Sequence, residues 1–189
     1  YSGLIKPTPE QTGRAAAILS SLGVSPDQPI VALAPGTSGR RSVKEWTDEG
    51  FVAVGNHLAQ RGITPVVLGT QPVDAIANGC TWAVDLSGKT KLVEAMAILH
   101  RSRFLLAVDS GMLHLGAAVG TPVVGLYGPS DATVTGPQGP GHIVVTSGAD
   151  CSPCIKTECS LGRKCMVELS ADKVIAAVDS VLDRKESNS

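Results

Sequence analysis

Residues 104–127 read FLLAVDSGMLHLGAAVGTPVVGLY. Two short apolar runs, Phe104–Val108 and Pro122–Tyr127, flank a segment rich in small residues, Leu113–Val119. Neither run alternates apolar with polar residues, as a strand with one wet face would. Both therefore suit strands buried on two faces, which parallel sheets require. The joining segment is too long for a hairpin and suits a crossover helix. A right-handed β-α-β unit follows. Its first turn, Asp109-Ser110-Gly111, falls where strand gives way to helix.

The same alternation extends in both directions. Toward the amino terminus, helical spacing of Ala15, Ala16, Ile18, Leu19 and Leu22 predicts a helix over Thr8–Leu22, closed near Gly23. A strand is expected at Ile30–Ala34, a polar and basic loop at Thr37–Lys44, and a helix at Asp48–Gln60 capped by Thr47 and ended by Gly62. A strand at Thr64–Leu68, a short helix at Val73–Asn78 and a strand at Trp82–Leu86 come next. The helix over Lys91–Arg101 should place Leu92, Ala95, Met96 and Leu99 on one face. Toward the carboxyl terminus, Pro129, Pro137 and Pro140 make Gly128–Gly141 a loop. A strand at Ile143–Thr146 and a helix at Ser170–Leu182, capped by Ser170, complete the pattern. The fold expected is α/β, a Rossmann-like doubly wound parallel sheet of about six strands. One domain over residues 1–183 is expected, with 184–189 a disordered tail.

Composition narrows the function. Hydrophobic residues make up 43% of the 189 and charged residues 17%, a globular balance. A net charge of −1 provides no global field for nucleic acid, and 3% aromatics provide no base-stacking platform. No apolar run approaches the roughly 20 residues that span a bilayer. No leader is visible, so a cytoplasmic setting is expected. The chain opens on Tyr1 and not Met, which suggests a piece of a longer protein.

In an open α/β sheet, ligands bind beyond the carboxyl ends of the strands. That rule selects Pro35–Lys44, Gly69–Asp74, Asp109–His114 and Gly128–Asp131. In the third, Gly111 allows close backbone approach, the amides at a helix start bind anions, Ser110 adds a hydroxyl, and His114 lies one turn on. Plain helix capping by Asp109 or Ser110, with His114 in the core, accounts for the same residue types. In the first, Gly36, Thr37, Ser38, Arg40, Arg41 and Lys44 follow a strand and suit a phosphate loop, although a solvated basic loop has the same composition. Neither a Walker A spacing nor G-x-G-x-x-G nor G-x-S-x-G occurs, which argues against those nucleotide, dinucleotide and hydrolase classes. Cys151, Cys154, Cys159 and Cys165 form C-x2-C-x4-C-x5-C. Four thiolates can hold Zn²⁺ or an iron–sulfur cluster, and the same residues can be disulfides or packed thiols. The spacing is compressed for a zinc site, so no cofactor and no metal is the favoured expectation.

The blocks VALAPGTSGRRSVKEW, TPVVLGT, DLSGKTKLVEAMAIL and RFLLAVDSGMLHLGAAVGTPVVGLYGPSD, in this order, resemble the carboxy-terminal domain of glycosyltransferase family 9, the ADP-heptose:lipopolysaccharide heptosyltransferase family. The resemblance covers about Ile30–Asp131. It implies half of a GT-B enzyme, in which two Rossmann-like domains face each other across a cleft. It implies that Asp109, Ser110, Gly111 and His114 contact the donor diphosphate and sugar. Thr37 and Ser38 would lie near phosphate, Lys44 would neutralise the leaving diphosphate, and Thr90 would lie near adenine. Asp74 is the nearest acid to the family's ribose-binding glutamate. The implied reaction is inverting transfer of heptose or a related sugar to a lipopolysaccharide or related envelope glycan. The acceptor and the general base would belong to an amino-terminal domain not in this chain, with peripheral membrane association of the whole. A stand-alone nucleotide-binding or regulatory module, and a nucleotide-sugar epimerase on the same scaffold, are the alternatives.

Overall fold

The computed structural model describes residues 3–37 and 42–186. Six parallel strands form one sheet: β1 (Ile30–Ala34), β2 (Thr64–Val67), β3 (Val84–Asp85), β4 (Leu105–Val108), β5 (Val123–Leu126) and β6 (Ile143–Val145). Their order is β3-β2-β1-β4-β5-β6. Helices α1 (Pro9–Ser21), α4 (Leu92–Arg101) and α5 (Gly111–Ala118) cover one face. Helices α2 (Asp48–Gln60), α3 (Asp74–Gly79) and α8 (Ala171–Glu186) cover the other. Two single turns, α6 (Ala132–Thr135) and α7 (Lys164–Val167), lie in the connections.

The two faces follow from strand periodicity. Along β1, Val31 and Leu33 pack with Phe51, Leu58 and Val178 under α2 and α8. The alternate residues Ile30, Ala32 and Ala34 pack with Leu19, Ile98 and Leu99 under α1 and α4. The chain runs outward from β1 to β3 on one side, returns through α4 across the opposite face, and resumes at β4 beside β1. Loops leaving β1 and β4 therefore diverge, and a crevice opens between them at the carboxyl edge.

Local chemistry fixes the helix ends. Thr8 and Gln11 form a reciprocal capping box, with Pro9 at the first helical position of α1. Thr47 caps α2 by accepting the Gly50 N–H at 3.1 Å. The Trp46 indole donates to the Leu169 carbonyl at 2.8 Å and meets Phe51 edge-on, ring centroids 5.3 Å apart. A Cβ on Gly50 would lie 2.4 Å from the Trp46 ring, so glycine is needed there. Asp179 ties α8 to α2 by hydrogen bonds with His57 (2.8 Å) and Arg61 (2.5 Å). Burial alone would raise the Asp179 carboxyl; its His57 and Arg61 partners outweigh that and hold it below its ordinary value.

Four local expectations are corrected. The Gly128–Gly141 loop contains α6, whose cap is Asp131: its carboxylate accepts the Thr133 N–H at 2.8 Å. The strand expected from Trp82 shrinks to Val84–Asp85, because Trp82 has φ 57 and leaves the extended region. Leu92 is 70% exposed and takes no place in the core beside Ala95 and Leu99. The terminal helix continues past its expected end at Leu182 to Glu186.

Candidate functional site at the carboxyl edge

The β1 and β4 loops meet at the crevice. Lys44 lies in a single 3-10 turn, Ser42–Lys44, ahead of Trp46. Its ammonium donates to the Asp109 carboxylate at the end of β4. Both side chains are largely shielded, 13% and 6% exposed, so neither charge can shift to solvent without rearrangement. The other carboxylate oxygen of Asp109 faces His114 Nε2 at 3.9 Å. Thr37 offers its N–H (3.2 Å) and hydroxyl (3.0 Å) to one oxygen of Glu45, the residue after Lys44. Glu45 thus closes the loop on itself.

The capping alternative does not describe this turn. Ser110 is the residue before α5, yet its side chain makes no cap bond, and its Oγ is buried without a hydrogen-bond partner. Asp109 is engaged with Lys44 and faces the His114 side chain, and it does not cap the α5 amides. His114 is exposed, not a core residue. The first amides of α5 find no acceptor within the helix. A Cβ on Gly111 would meet nothing within 4 Å, so the helix start faces open space. A buried, unpartnered hydroxyl beside such amides suits an anionic ligand.

Three cavities run together along the edge. The central one, about 370 Å³, is lined by Thr37, Lys44, Asp109, Ser110, Gly111, His114 and Thr135. On one side it shares Thr37, Ser110 and Gly111 with a cavity of about 330 Å³ that adds Thr70, Thr90 and an apolar wall of Leu92, Met112 and Leu115. On the other side it shares Lys44 and Thr135 with a cavity of about 320 Å³ that reaches Ser130, Asp131 and Lys156. The groove thus has an apolar slot, a polar centre with a fixed cation, and a mixed far end. Exposed Leu92 has its explanation here, as slot wall.

Seven of the eight residues selected from sequence line this groove: Thr37, Lys44, Thr90, Asp109, Ser110, Gly111 and His114. Ser38, with Arg40 and Arg41, lies outside the described residues. Asp74 is exposed at the start of α3 and lines none of the three cavities. Glu45 and Thr135 were not expected. Thr135 sits in the helical turn hidden among prolines, and the Tyr127 hydroxyl anchors it by donating to the Thr135 carbonyl at 2.7 Å. Burial, and then the Asp109 charge, push the Tyr127 phenol well above its ordinary value, so it stays a donor.

The four clustered cysteines line a cavity of about 200 Å³ that shares Pro129 and Lys156 with the far end of the groove. All are free thiols. Cys159 Sγ accepts the Arg163 N–H at 3.3 Å, and this bond, with a second from Leu161, lowers its pKa. Burial, and then Cys151, raise that of Cys165. Among the described residues no three Cys, His, Asp or Glu side chains stand in a ligating arrangement as placed.

A doubly wound α/β domain with a cation and an open helix start at its switch point belongs to the architectural class that binds anionic ligands at the carboxyl edge of its sheet. The description glycosyltransferase family 9 (heptosyltransferase) matches residues 7–165, and the chain belongs to this family. It is 31% identical over 173 residues to lipopolysaccharide heptosyltransferase 3 of Escherichia coli K12, covering 87% of this chain and 49% of that protein. Among solved structures it resembles a family 9 glycosyltransferase from Veillonella parvula, at 25% identity and TM-score 0.80, over 95% of this chain and 53% of that one. It also resembles the E. coli heptosyltransferase WaaC with ADP, at 23% identity and TM-score 0.66, over 88% and 48%. The chain spans about half the length of that E. coli K12 heptosyltransferase. Among the described residues no helix is long and apolar enough to cross a membrane.

Proposed function

We propose that this chain, over residues 1–183, is the donor-binding domain of a glycosyltransferase. The whole protein would transfer heptose or a related sugar from a nucleoside-diphosphate sugar, ADP-heptose foremost, to a lipopolysaccharide or related envelope glycan. The observation that carries the reading is the junction of the shielded Lys44–Asp109 pair with the unpartnered Ser110 hydroxyl at the open start of α5. The likeness to the WaaC structure with ADP and to lipopolysaccharide heptosyltransferase 3 of E. coli K12 supports it.

In this reading the base lies in the slot of Thr90, Leu92, Met112 and Leu115. The diphosphate lies on the α5 amides, with Ser110, Thr37 and Lys44 around it. The sugar extends past Asp109 and His114. The acceptor hydroxyl attacks the anomeric carbon as the diphosphate leaves, and Lys44 faces the charge that builds on the leaving group. A carboxylate from the facing half takes the acceptor proton. The nucleotide sugar is a substrate and not a cofactor. The glycolipid acceptor is held by that other half, at the cytoplasmic face of the membrane.

A calorimetric binding series on the 189-residue chain with ADP, UDP, GDP and ADP-heptose tests the reading. Binding of ADP and ADP-heptose ahead of the others is expected, with no sugar transfer by the chain alone. Negligible response to all four would remove the donor site; sugar transfer by the isolated chain would overturn the assignment of the base elsewhere.

A further inference from the structure

Two residues of the β1 loop that line the groove are already engaged, but not to the same extent. Lys44 carries three N–H donors. One meets Asp109, which leaves two for a ligand. Thr37 carries two donors, its N–H and its hydroxyl. Both end on the same oxygen of Glu45, at 3.2 and 3.0 Å. Thr37 lines the central cavity and the apolar slot, yet as placed it has no donor left for either. The Glu45 carboxylate stands on Thr37 where a phosphate oxygen would.

The surroundings permit this contact to be exchanged. Glu45 lines a further cavity of about 260 Å³ between the β1 and β2 loops, which reaches Thr70 and Gln71 and shares Thr37 with the groove. It does not line the central cavity. The carboxylate therefore draws both Thr37 donors toward β2 and away from the start of α5. The Glu45 backbone is fixed independently of its side chain. Its N–H donates to the Ser42 carbonyl at 3.0 Å, and its carbonyl accepts the Arg163 guanidinium at 2.9 Å. The side chain can thus turn into the adjoining cavity while the Lys44 turn stays in place. On the other side of the contact, the Thr37 hydroxyl reorients about one bond. The Thr37 N–H belongs to the peptide after Gly36, and glycine tolerates the backbone rotation that redirects it. A Cβ on Gly36 would meet nothing within 4 Å, so that peptide has room to turn. An incoming phosphate must still replace a charge-assisted contact and approach a like charge.

We propose that Glu45 sets the selectivity of the donor site for phosphate. Its carboxylate competes with the nucleotide's diphosphate for the two Thr37 donors, and binding exchanges one acceptor for the other. The proposal rests on the donor-site reading above. A diphosphate carries the charge to displace a carboxylate; a nucleoside, with no phosphate to offer Thr37, does not drive the exchange. Glu45 acts through Thr37 and is a positioning residue, and its removal should strengthen nucleotide binding.

The test compares ADP and adenosine, by calorimetry and NMR titration, on the unmodified 189-residue chain, Glu45→Gln, Thr37→Val and the double variant. Glutamine keeps the shape of the side chain but is a neutral and weaker acceptor. ADP should bind Glu45→Gln about three- to tenfold more tightly, the difference between a charge-assisted and a neutral contact. The response to adenosine should stay the same. In the Thr37→Val background, where one of the two contested donors is gone, the gain from Glu45→Gln should shrink. In the unmodified chain, the ¹³C resonance of the Glu45 carboxylate should move with the Thr37 amide as ADP is added, and adenosine should leave it still. A Glu45 that merely holds the loop in shape predicts the opposite sign, weaker ADP binding in Glu45→Gln. Unchanged or weaker ADP binding in a folded Glu45→Gln overturns the proposal, and so does equal tightening of ADP and adenosine. Thermal unfolding shows whether the variant folds; if it does not, a Glu45 carboxylate resonance that ignores saturating ADP overturns the proposal instead. ADP binding by the unmodified chain without tightening in Glu45→Gln removes this proposal alone. No ADP binding by the unmodified chain removes the donor-site reading and the proposal together.

Discussion

Replacing Lys44 by methionine removes the cation at the switch point while keeping an unbranched side chain only one atom shorter. The Asp109 carboxylate, 6% exposed, would then lose the only ammonium that faces it among the described residues. Stranding one partner of a fully buried pair costs about 3–5 kcal/mol. Asp109 borders a groove that admits water, so a penalty of about 2 kcal/mol in unfolding free energy is expected. Asp109→Asn strands a longer, flexible cation that can turn into the groove, and about 1 kcal/mol is expected. The double variant should recover a coupling of about 1–2 kcal/mol, well above the roughly 0.3–0.5 kcal/mol scatter of such cycles. Urea unfolding of the four proteins measures this. Binding supplies the second axis. Loss of one charge-assisted contact to phosphate, about 1.5–3 kcal/mol, should weaken ADP about ten- to a hundredfold in Lys44→Met under conditions where it remains folded. Asp109→Asn should also weaken ADP, because it frees Lys44 from its position. Additive stability effects together with unchanged ADP affinity in both single variants would refute the reasoning.

Gly111→Ala should leave stability unchanged or raise it by about 0.5–1 kcal/mol, since its Cβ meets nothing within 4 Å. The same methyl should weaken ADP severalfold; undiminished affinity by calorimetry would move the diphosphate off this helix start. Gly128→Ala places a Cβ 2.4 Å from Met166 Sδ and 2.9 Å from Cys165 Sγ, so a loss of about 1–3 kcal/mol is expected, and an unshifted urea midpoint would count against that packing. Asp179 is held below its ordinary value by His57 and Arg61 once burial is outweighed, so its stabilisation is present above the unfolded carboxyl pKa and disappears as pH falls through the lower folded value. Asp179→Asn should therefore flatten the acid limb of the stability–pH curve and change little of its shape above pH 5; an identical acid limb in the variant would show that this tie contributes nothing.

Much of the fold was legible because burial on both faces writes itself into sequence. IVALA at 30–34 and FLLAV at 104–108 have no polar residue to offer water, so a parallel sheet was the only economical reading. The crevice followed from topology, which brought Lys44 and Asp109 together across 65 residues of chain. What escaped had physical reasons. Thr135 was hidden because α6 fits between Pro129 and Pro137, where Asp131 supplies a cap that composition alone did not reveal. Leu92 looked like a core residue at helical spacing, yet at the first position of α4 it overhangs the groove. Trp82 looked like a strand former, but the tight turn after α3 imposes a positive φ. Glu45 and Arg163 were invisible as partners because their contacts, to Thr37 and to two backbone carbonyls, depend on loop conformation and not on residue pattern.

The central claim is that a nucleoside diphosphate lies on the start of α5 beside Lys44. Titrating ¹⁵N-labelled chain with ADP, and following its assigned backbone amides, tests this most directly. The largest shifts are expected at Gly111 and Met112, with Thr37 and Thr90 responding along the same groove, and the responses of Met112, Thr37 and Thr90 reduced in Gly111→Ala at matched, sub-saturating ADP. Saturable shifts confined to another part of the sheet, or no shifts in a chain that is demonstrably folded, would contradict it.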